Sequence, residues 1–157
     1  MAIKQKIKTF LWFDGQAEEA ASLYTSLFKD SKIVHVSRYG EGAPRPAGTA
    51  MSVTFQLEGQ TFMALNGGPQ YKFTEAISLF VDCESQAEVD HLWDKLTADG
   101  GEEGRCGWLK DKFGLSWQII PSGFIDLLSG SDPEKSRRVM QLMFTMKKLD
   151  LARLQQA

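Results

Sequence analysis

The order of predicted secondary-structure elements repeats once along the chain, which constrains the fold more than any single motif does. In the first half, short runs with the length and alternation of β-strands lie at residues 7–13, 32–39, 51–57 and 61–66. Between the first two runs, residues 16–28 carry apolar side chains three and four positions apart, which predicts a helix that covers a sheet. Residues 40–48 contain two prolines and predict a loop. The first half therefore reads strand, helix and three strands.

The second half follows the same order. Its strands are predicted at residues 76–81, 105–110 and 115–121, with only a weak signal for one more strand just before Arg105. Ser85 and Glu88 form a capping box at the start of a helix, and Gly100 and Gly101 end that helix. Residues 16–18 (Gln-Ala-Glu) recur as residues 86–88 at the head of each helix, which gives modest support for a duplication.

A helical tail follows the second half. Asp132 is a predicted N-cap with Pro133 in the first helical position. The apolar stripe behind them comprises Val139, Leu142, Met143 and Met146. This stripe needs a surface to cover, either on its own subunit or on a partner. We therefore predict one α+β domain over residues 1–157, with βαβββ modules at about 5–67 and 74–121 and a helical tail at 122–157.

Composition excludes several functional classes. The chain has 18 basic and 20 acidic residues and a formal net charge of −2, so it lacks the excess of positive charge that nucleic-acid binding needs. No segment approaches the roughly 20 apolar residues that span a bilayer, and the first residues lack the pattern of a signal peptide. We therefore expect a cytoplasmic protein without a membrane partner. Cys83 and Cys106 are too few for a disulfide framework.

Two segments carry a resemblance to a known family. Residues 13–20 (Phe-Asp-Gly-Gln-Ala-Glu-Glu-Ala), followed by Leu23 and Tyr24, resemble the vicinal-oxygen-chelate fold of glyoxalases and bleomycin-resistance proteins. Residues 106–119 look like the hallmark of a PhnB-like branch labelled 3-demethylubiquinone-9 3-methyltransferase. The likeness covers residues 5–121. It implies that the two modules form a cupped, open, barrel-like mixed sheet with helices outside, and that the protein is a homodimer.

The resemblance also implies where a metal would bind. Metal-dependent relatives place one His, Glu or Gln at each of four strand positions, because a divalent ion needs several convergent ligands. Those positions fall on Thr9 (or on Ile7 if the alignment slips by two), Ala64, Ala76 and Gln118. Such a set lacks the ligands for a catalytic ion, so we expect no metal and no cofactor. His35 and His91 are predicted outside the cup, in ordinary packing or surface positions.

The same comparison predicts an apolar pocket with scattered hydrogen-bonding groups. By strand parity, Thr9, Leu11 and Phe13 share one face, Ser78 and Phe80 share another, and Gln118 faces the same side as Ile120. The candidate pocket residues are Thr9, Leu11, Phe13, Asn66, Ser78, Phe80, Trp108 and Gln118. No catalytic residue stands out. A pocket of this kind suits a planar or amphipathic small molecule.

Three functional readings follow. The first is a metal-free small-molecule-binding protein. The second is an enzyme, either the methyltransferase of the family label or a metal-independent lyase or isomerase, for which Cys106 is a candidate nucleophile as well as a structural thiol. A methyltransferase needs a glycine-rich strand-to-helix turn for S-adenosylmethionine, whereas Gly67 and Gly68 precede Pro69 and predict a plain turn. The third is an interaction module whose tail helix docks a partner.

Overall fold

The computed structural model describes residues 4–157, and the chain divides into two compact units at the boundary between Lys72 and Phe73. This boundary lies between the two predicted modules. Each unit contains one four-stranded mixed sheet, so the α+β class and the pair of sheets are confirmed.

The first unit has the predicted order of strand, helix and three strands. Its elements are β1 (Thr9–Phe13), α1 (Ala17–Leu27), β2 (Lys32–Arg38), β3 (Ala50–Leu57) and β4 (Gln60–Asn66). The strands lie side by side as β1-β4-β3-β2, with β1 parallel to β4 and the other pairs antiparallel. Glu58 and Gly59 both have positive φ angles, as the two-residue turn of a β-hairpin requires. The buried side of α1, which includes Tyr24, covers one face of this sheet.

The second unit repeats the sheet and adds the tail. Its elements are β5 (Ser78–Cys83), α2 (Gln86–Thr97), β6 (Glu102–Glu103), β7 (Trp108–Lys110), β8 (Ser116–Pro121), α3 (Phe124–Leu128), α4 (Pro133–Met143) and α5 (Leu151–Gln155). The strand order is β5-β8-β7-β6, with β5 parallel to β8. The weakly signalled strand is the two-residue β6, and β7 begins later than predicted because Cys106 and Gly107 have positive φ angles. Across residues 4–157, each helix falls short of the length and apolar character that crossing a bilayer requires.

The tail packs onto its own unit. Asp132 caps α4 by accepting hydrogen bonds from the backbone N–H groups of Glu134 and Lys135, as predicted. A single buried cluster joins the end of β8 to the three tail helices and comprises Ile120, Phe124, Val139, Met146, Leu149 and Leu154. The tail stripe is thus covered within its own unit, the first of the two predicted alternatives. The homodimer stays a prediction that rests on the family resemblance.

Hydrogen bonds tie the tail to the body of the second unit. The Gln86 side chain donates from Nε2 to the Leu149 carbonyl (2.9 Å) and accepts at Oε1 from the Leu151 N–H (3.0 Å). The N–H groups of Cys106 and Gly107 donate to the carbonyls of residues 146 and 147, at 2.9 and 2.8 Å. The head of α2 therefore holds the linker between α4 and α5 through one amide group.

Replacing Gln86 should loosen the tail, because both backbone groups of the linker lose their partner. We expect Gln86→Ala to lower the free energy of unfolding by about 1–2 kcal/mol and to speed hydrogen exchange at the Leu151 amide. Gln16→Ala is the matched control, since Gln16 is the corresponding residue of the Gln-Ala-Glu repeat at the head of α1 but makes no side-chain cap and is exposed. Equal effects of the two substitutions in chemical denaturation would contradict this role of Gln86.

Candidate functional site

The side chains of the second sheet divide cleanly between its two faces. Leu109, Trp117 and Ile119 are buried on the side that α2 covers, where Trp93 and Leu96 of the helix are buried as well. The register places Phe80, Gln118 and Trp108 in one cross-strand row on the opposite side, and Ser78, Ser116 and Lys110 in the next row. These six residues are called the Trp108 face below.

The Trp108 face brings together half of the predicted pocket residues. Phe80 is 52% exposed and Trp108 is half-buried, and Gln118 of the central strand β8 lies between them in the same row. Gln118 donates a hydrogen bond from Nε2 to Ser78 Oγ at 3.0 Å, which leaves the amide oxygen of Gln118 for other partners. Ser78, Phe80, Trp108 and Gln118 therefore lie on one face of the sheet, and their contact with a ligand stays a prediction.

The first-unit members of the predicted pocket lie in the core instead. Leu11 and Phe13 are buried on the α1 side of β1, and Thr9 is paired with the buried Phe62 on that side. Asn66 accepts a hydrogen bond at Oδ1 from the N–H of Ala17 (2.8 Å), the first residue of α1. Thr9, Leu11 and Phe13 do share one face of the sheet, but that face packs against α1 and is not exposed. Ligand contact by Thr9, Leu11, Phe13 and Asn66 remains only a prediction.

The opposite side of β1 carries two aromatic residues that are not fully buried. Phe10 is 54% exposed, and Trp12 meets the ring of Tyr71 edge-on at a centroid distance of 4.9 Å. The Trp12 indole donates to the Gly68 carbonyl at 2.9 Å, and a Cβ at Gly67 would lie 2.2 Å from the indole ring. Gly67 thus leaves the space that the Trp12 indole occupies, and Gly68 accepts its hydrogen bond. Because residues on both sides of β1 are apolar, the alternation of side chains along the strand could not predict which side is exposed.

The carried-over metal positions do not offer a suitable set of ligands. Thr9 and Ala64 lie on the face covered by α1, which corrects their expected place in a cup. Ala76 precedes β5, and the Gln118 amide is engaged with Ser78. The other side of β1 and β4 carries Phe10, Trp12, Met63 and Leu65, none of which is a ligand for a hard divalent ion. Within residues 4–157, no three or more His, Cys, Asp or Glu side chains are grouped for metal binding, and His35 and His91 are exposed.

A pocket of about 210 Å³ opens at the edge of the Trp108 face. Its lining residues are Glu75, Glu102, Glu103, Gly104, Trp108, Leu109, Lys110 and Ser116. Lys110 forms an ion pair with Glu75, and the hydrogen bond and charge of Lys110 lower the pKa of the Glu75 carboxyl. Gly104 is required at its place, since a Cβ there would lie 2.6 Å from the carbonyl oxygen of Trp108. The pocket is therefore polar at its rim and aromatic along one wall.

A buried carboxylate fixes the hairpin between β7 and β8. Asp111 accepts hydrogen bonds at Oδ1 from the N–H groups of Phe113 and Leu115 (2.9 and 3.0 Å) and at Oδ2 from the indole of Trp117 (2.9 Å). Gly114 supplies the positive φ angle of the turn. Holding Trp117 on the α2 side directs its neighbours Ser116 and Gln118 to the Trp108 face.

Asp111→Asn should destabilise the second unit. An asparagine that keeps its oxygen on the turn directs its amide NH₂ at the Trp117 indole, which is also a donor. We expect a loss of about 2–4 kcal/mol in the free energy of unfolding, measured by urea denaturation. Asp126→Asn, an exposed carboxylate in α3, is the matched control and should change stability little. A loss below about 0.5 kcal/mol for Asp111→Asn would sink this account of the hairpin.

The two thiols have different environments. Cys83 is fully buried, and its burial, together with the charges of Glu88 and Asp82, raises its pKa to about 12. Cys106 is half-buried, and its thiol donates to the Met143 carbonyl at 3.7 Å. The catalytic and structural readings of Cys106 both stay open as hypotheses.

Native Cys83 should resist alkylation. At pH 8, a thiol with a pKa of about 12 is present as thiolate in roughly one molecule in 10⁴, and burial blocks access as well. We expect iodoacetamide to leave Cys83 unmodified in the folded protein and to modify it in urea, as followed by peptide mass spectrometry. Rapid modification of Cys83 without unfolding would contradict the burial and the raised pKa.

The paired βαβββ units define the class of protein. They belong to the vicinal-oxygen-chelate superfamily, the glyoxalase and bleomycin-resistance fold. The model of one family in this class, described as 3-demethylubiquinone-9 3-methyltransferase, matches residues 5–120, and the chain belongs to that family. Among curated proteins, no relative matches the chain.

Solved structures agree with this assignment. A PhnB protein from Bacillus cereus, described under the same methyltransferase name, is 43% identical, with a TM-score of 0.70 over 75% of this chain and 100% of that one. Protein PA1353 from Pseudomonas aeruginosa is 22% identical, with a TM-score of 0.61 over 75% and 98% of the two chains. The fosfomycin resistance protein FosX from Listeria monocytogenes is 14% identical, with a TM-score of 0.52 over 77% and 95%. The last two likenesses concern the fold alone.

Proposed function

We propose that this protein binds a planar or amphipathic small molecule on the Trp108 face, and that it does so without a metal ion. The observation that carries this proposal is the exposed Phe80 side chain in one row with Trp108 and Gln118. Two aromatic side chains on either side of a side-chain amide offer apolar surface for a ring, with a hydrogen-bonding group between them.

The polar groups of this face favour binding over bond-breaking chemistry. Gln118 and Ser78 hydrogen-bond to each other at 3.0 Å, and neither is a general base at neutral pH. Lys110, the titratable member of this face, is paired with Glu75, which raises the pKa of the ammonium and keeps it protonated. The six residues of the Trp108 face include no His, Cys, Asp or Glu, and no three such side chains are grouped elsewhere in residues 4–157, so a Lewis acid has no suitable set of ligands there. A site of this composition holds a ligand by burial of apolar surface and a few directional hydrogen bonds.

The test is a ligand screen in which the affinity of each hit is compared between two variants. A library of small aromatic compounds is screened by thermal shift, and the affinity of each hit is measured by calorimetry. We expect Phe80→Ala to weaken the hits at least about tenfold, because a ligand loses its stacking partner. Phe144→Ala is the matched control, since Phe144 is a 60% exposed phenylalanine in the tail.

Two results would overturn this function. One is that the screen yields no saturable ligand. The other is that Phe80→Ala and Phe144→Ala have the same effect on every hit. S-adenosylmethionine belongs in the same screen, because the family carries a methyltransferase name. Saturable binding of S-adenosylmethionine that survives Phe80→Ala would favour the methyltransferase alternative.

A further inference from the structure

We propose that the 210 Å³ pocket beside the Trp108 face binds an ammonium group with at least one N–H bond, carried on a short arm of an aromatic ligand. This inference rests on the proposed function, since the aromatic part of the ligand lies on the Trp108 face. It specifies the chemical class of ligand, which is a primary or secondary aryl-alkyl amine.

The first observation is an unsatisfied hydroxyl. Ser116 lines the pocket and is 0% exposed, and its Oγ has no hydrogen-bond partner within residues 4–157. Leaving a buried hydroxyl unpaired costs free energy, so such groups are normally satisfied by protein, water or ligand. A turn of the Ser116 side chain toward the pocket would let its hydroxyl accept a hydrogen bond from an N–H donor there.

The second observation is the charge of the lining. Three carboxylates, at Glu75, Glu102 and Glu103, face a single ammonium, Lys110, and Lys110 is already paired with Glu75. Glu103 accepts a hydrogen bond from the Trp93 indole (2.8 Å) and lies 3.7 Å from Lys147 Nζ. Glu102 has no ion-pair partner in the described part of the chain. The lining therefore keeps a surplus of negative charge that a cation would neutralise.

An anionic group fits the same pocket poorly. Lys110 is the one basic residue of the lining, and its pairing with Glu75 raises its pKa, with Glu102 adding a smaller effect in the same direction. A carboxylate or phosphate would have to break that pair and would then meet Glu102 and Glu103. The charge balance thus selects a cation over an anion.

The aromatic wall and the volume limit the cation further. Trp108 lines the pocket and also belongs to the row of Phe80, so a ring on the Trp108 face and a cation in the pocket can share one indole. The pocket volume of about 210 Å³ is sufficient for a short aminoalkyl group.

The experiment uses matched probes on the full chain. Calorimetry compares benzylamine with benzyl alcohol, benzyltrimethylammonium and benzoate, which replace the ammonium by a neutral, an N–H-free and an anionic group. We expect benzylamine to bind at least about tenfold more tightly than each of the others. Ser116→Ala and Glu102→Gln should each weaken benzylamine about fivefold and leave benzyl alcohol unchanged.

The controls separate a failed subsite from a misfolded variant. Ser116→Ala removes only an unpaired hydroxyl, so its free energy of unfolding should match or exceed that of the natural chain. Glu84→Gln changes an exposed carboxylate outside the pocket and should leave benzylamine binding intact. Equal binding of benzylamine and benzyl alcohol, both weakened by Phe80→Ala, would overturn the ammonium subsite while the proposed function stands. Absence of benzylamine binding would overturn the subsite as well, and the wider screen then decides on the Trp108 face.

Discussion

The hydrogen bonds of the Asp111 carboxylate are the constraint on which the second sheet depends. A buried charge needs several donors, and here the turn N–H groups and the Trp117 indole supply them. These bonds set which residues of β8 point toward α2. Because alternate residues of a strand face opposite sides, the same bonds direct Ser116 and Gln118 to the Trp108 face. A structural carboxylate thereby determines the chemistry of a surface that it does not touch.

The two units share one architecture but differ in what the sheet presents to its surroundings. In each, a helix covers one side of a four-stranded sheet and fixes the buried residues on that side. The second unit adds a tail that is buried against Ile120 at the end of β8 and held by the Gln86 amide. This tail stabilises the unit that carries the Trp108 face and the adjacent pocket. A fold of this kind leaves function to the side chains that it presents, and the Trp108 face presents aromatic, amide, hydroxyl and ammonium groups.

The element order and the fold class could be predicted because apolar spacing, capping residues and glycine turns each leave a local signal. Ser85 and Asp132 illustrate this, since both cap the helices that they were predicted to start. Strand faces were harder to predict. Parity grouped Leu11 with Phe13 correctly, but Phe10 and Trp12 are equally apolar, so nothing local indicated which side α1 covers. In the second unit, Ser78 and Gln118 are polar whereas Leu79, Trp117 and Ile119 on the other face are apolar, so the pattern itself distinguishes the two faces.

The pocket was missed for a different reason. Glu75, Glu102 and Lys110 lie on separate segments of the sequence. The Lys110–Glu75 ion pair and the pocket that all three residues line form only when β6, β7 and the segment before β5 come together. The unpaired state of Ser116 is likewise a tertiary property. No spacing in the sequence brings these residues together, whereas the Asp111 turn could be located from Gly114 and its neighbours alone.

The most direct test of the central claim is the affinity of a screened ligand measured before and after exhaustive treatment with a metal chelator. Our account predicts the same dissociation constant in both samples and no change when Mn²⁺ or Zn²⁺ is added back. Loss of binding on chelation, restored by a stoichiometric divalent ion, would contradict a metal-free site on the Trp108 face.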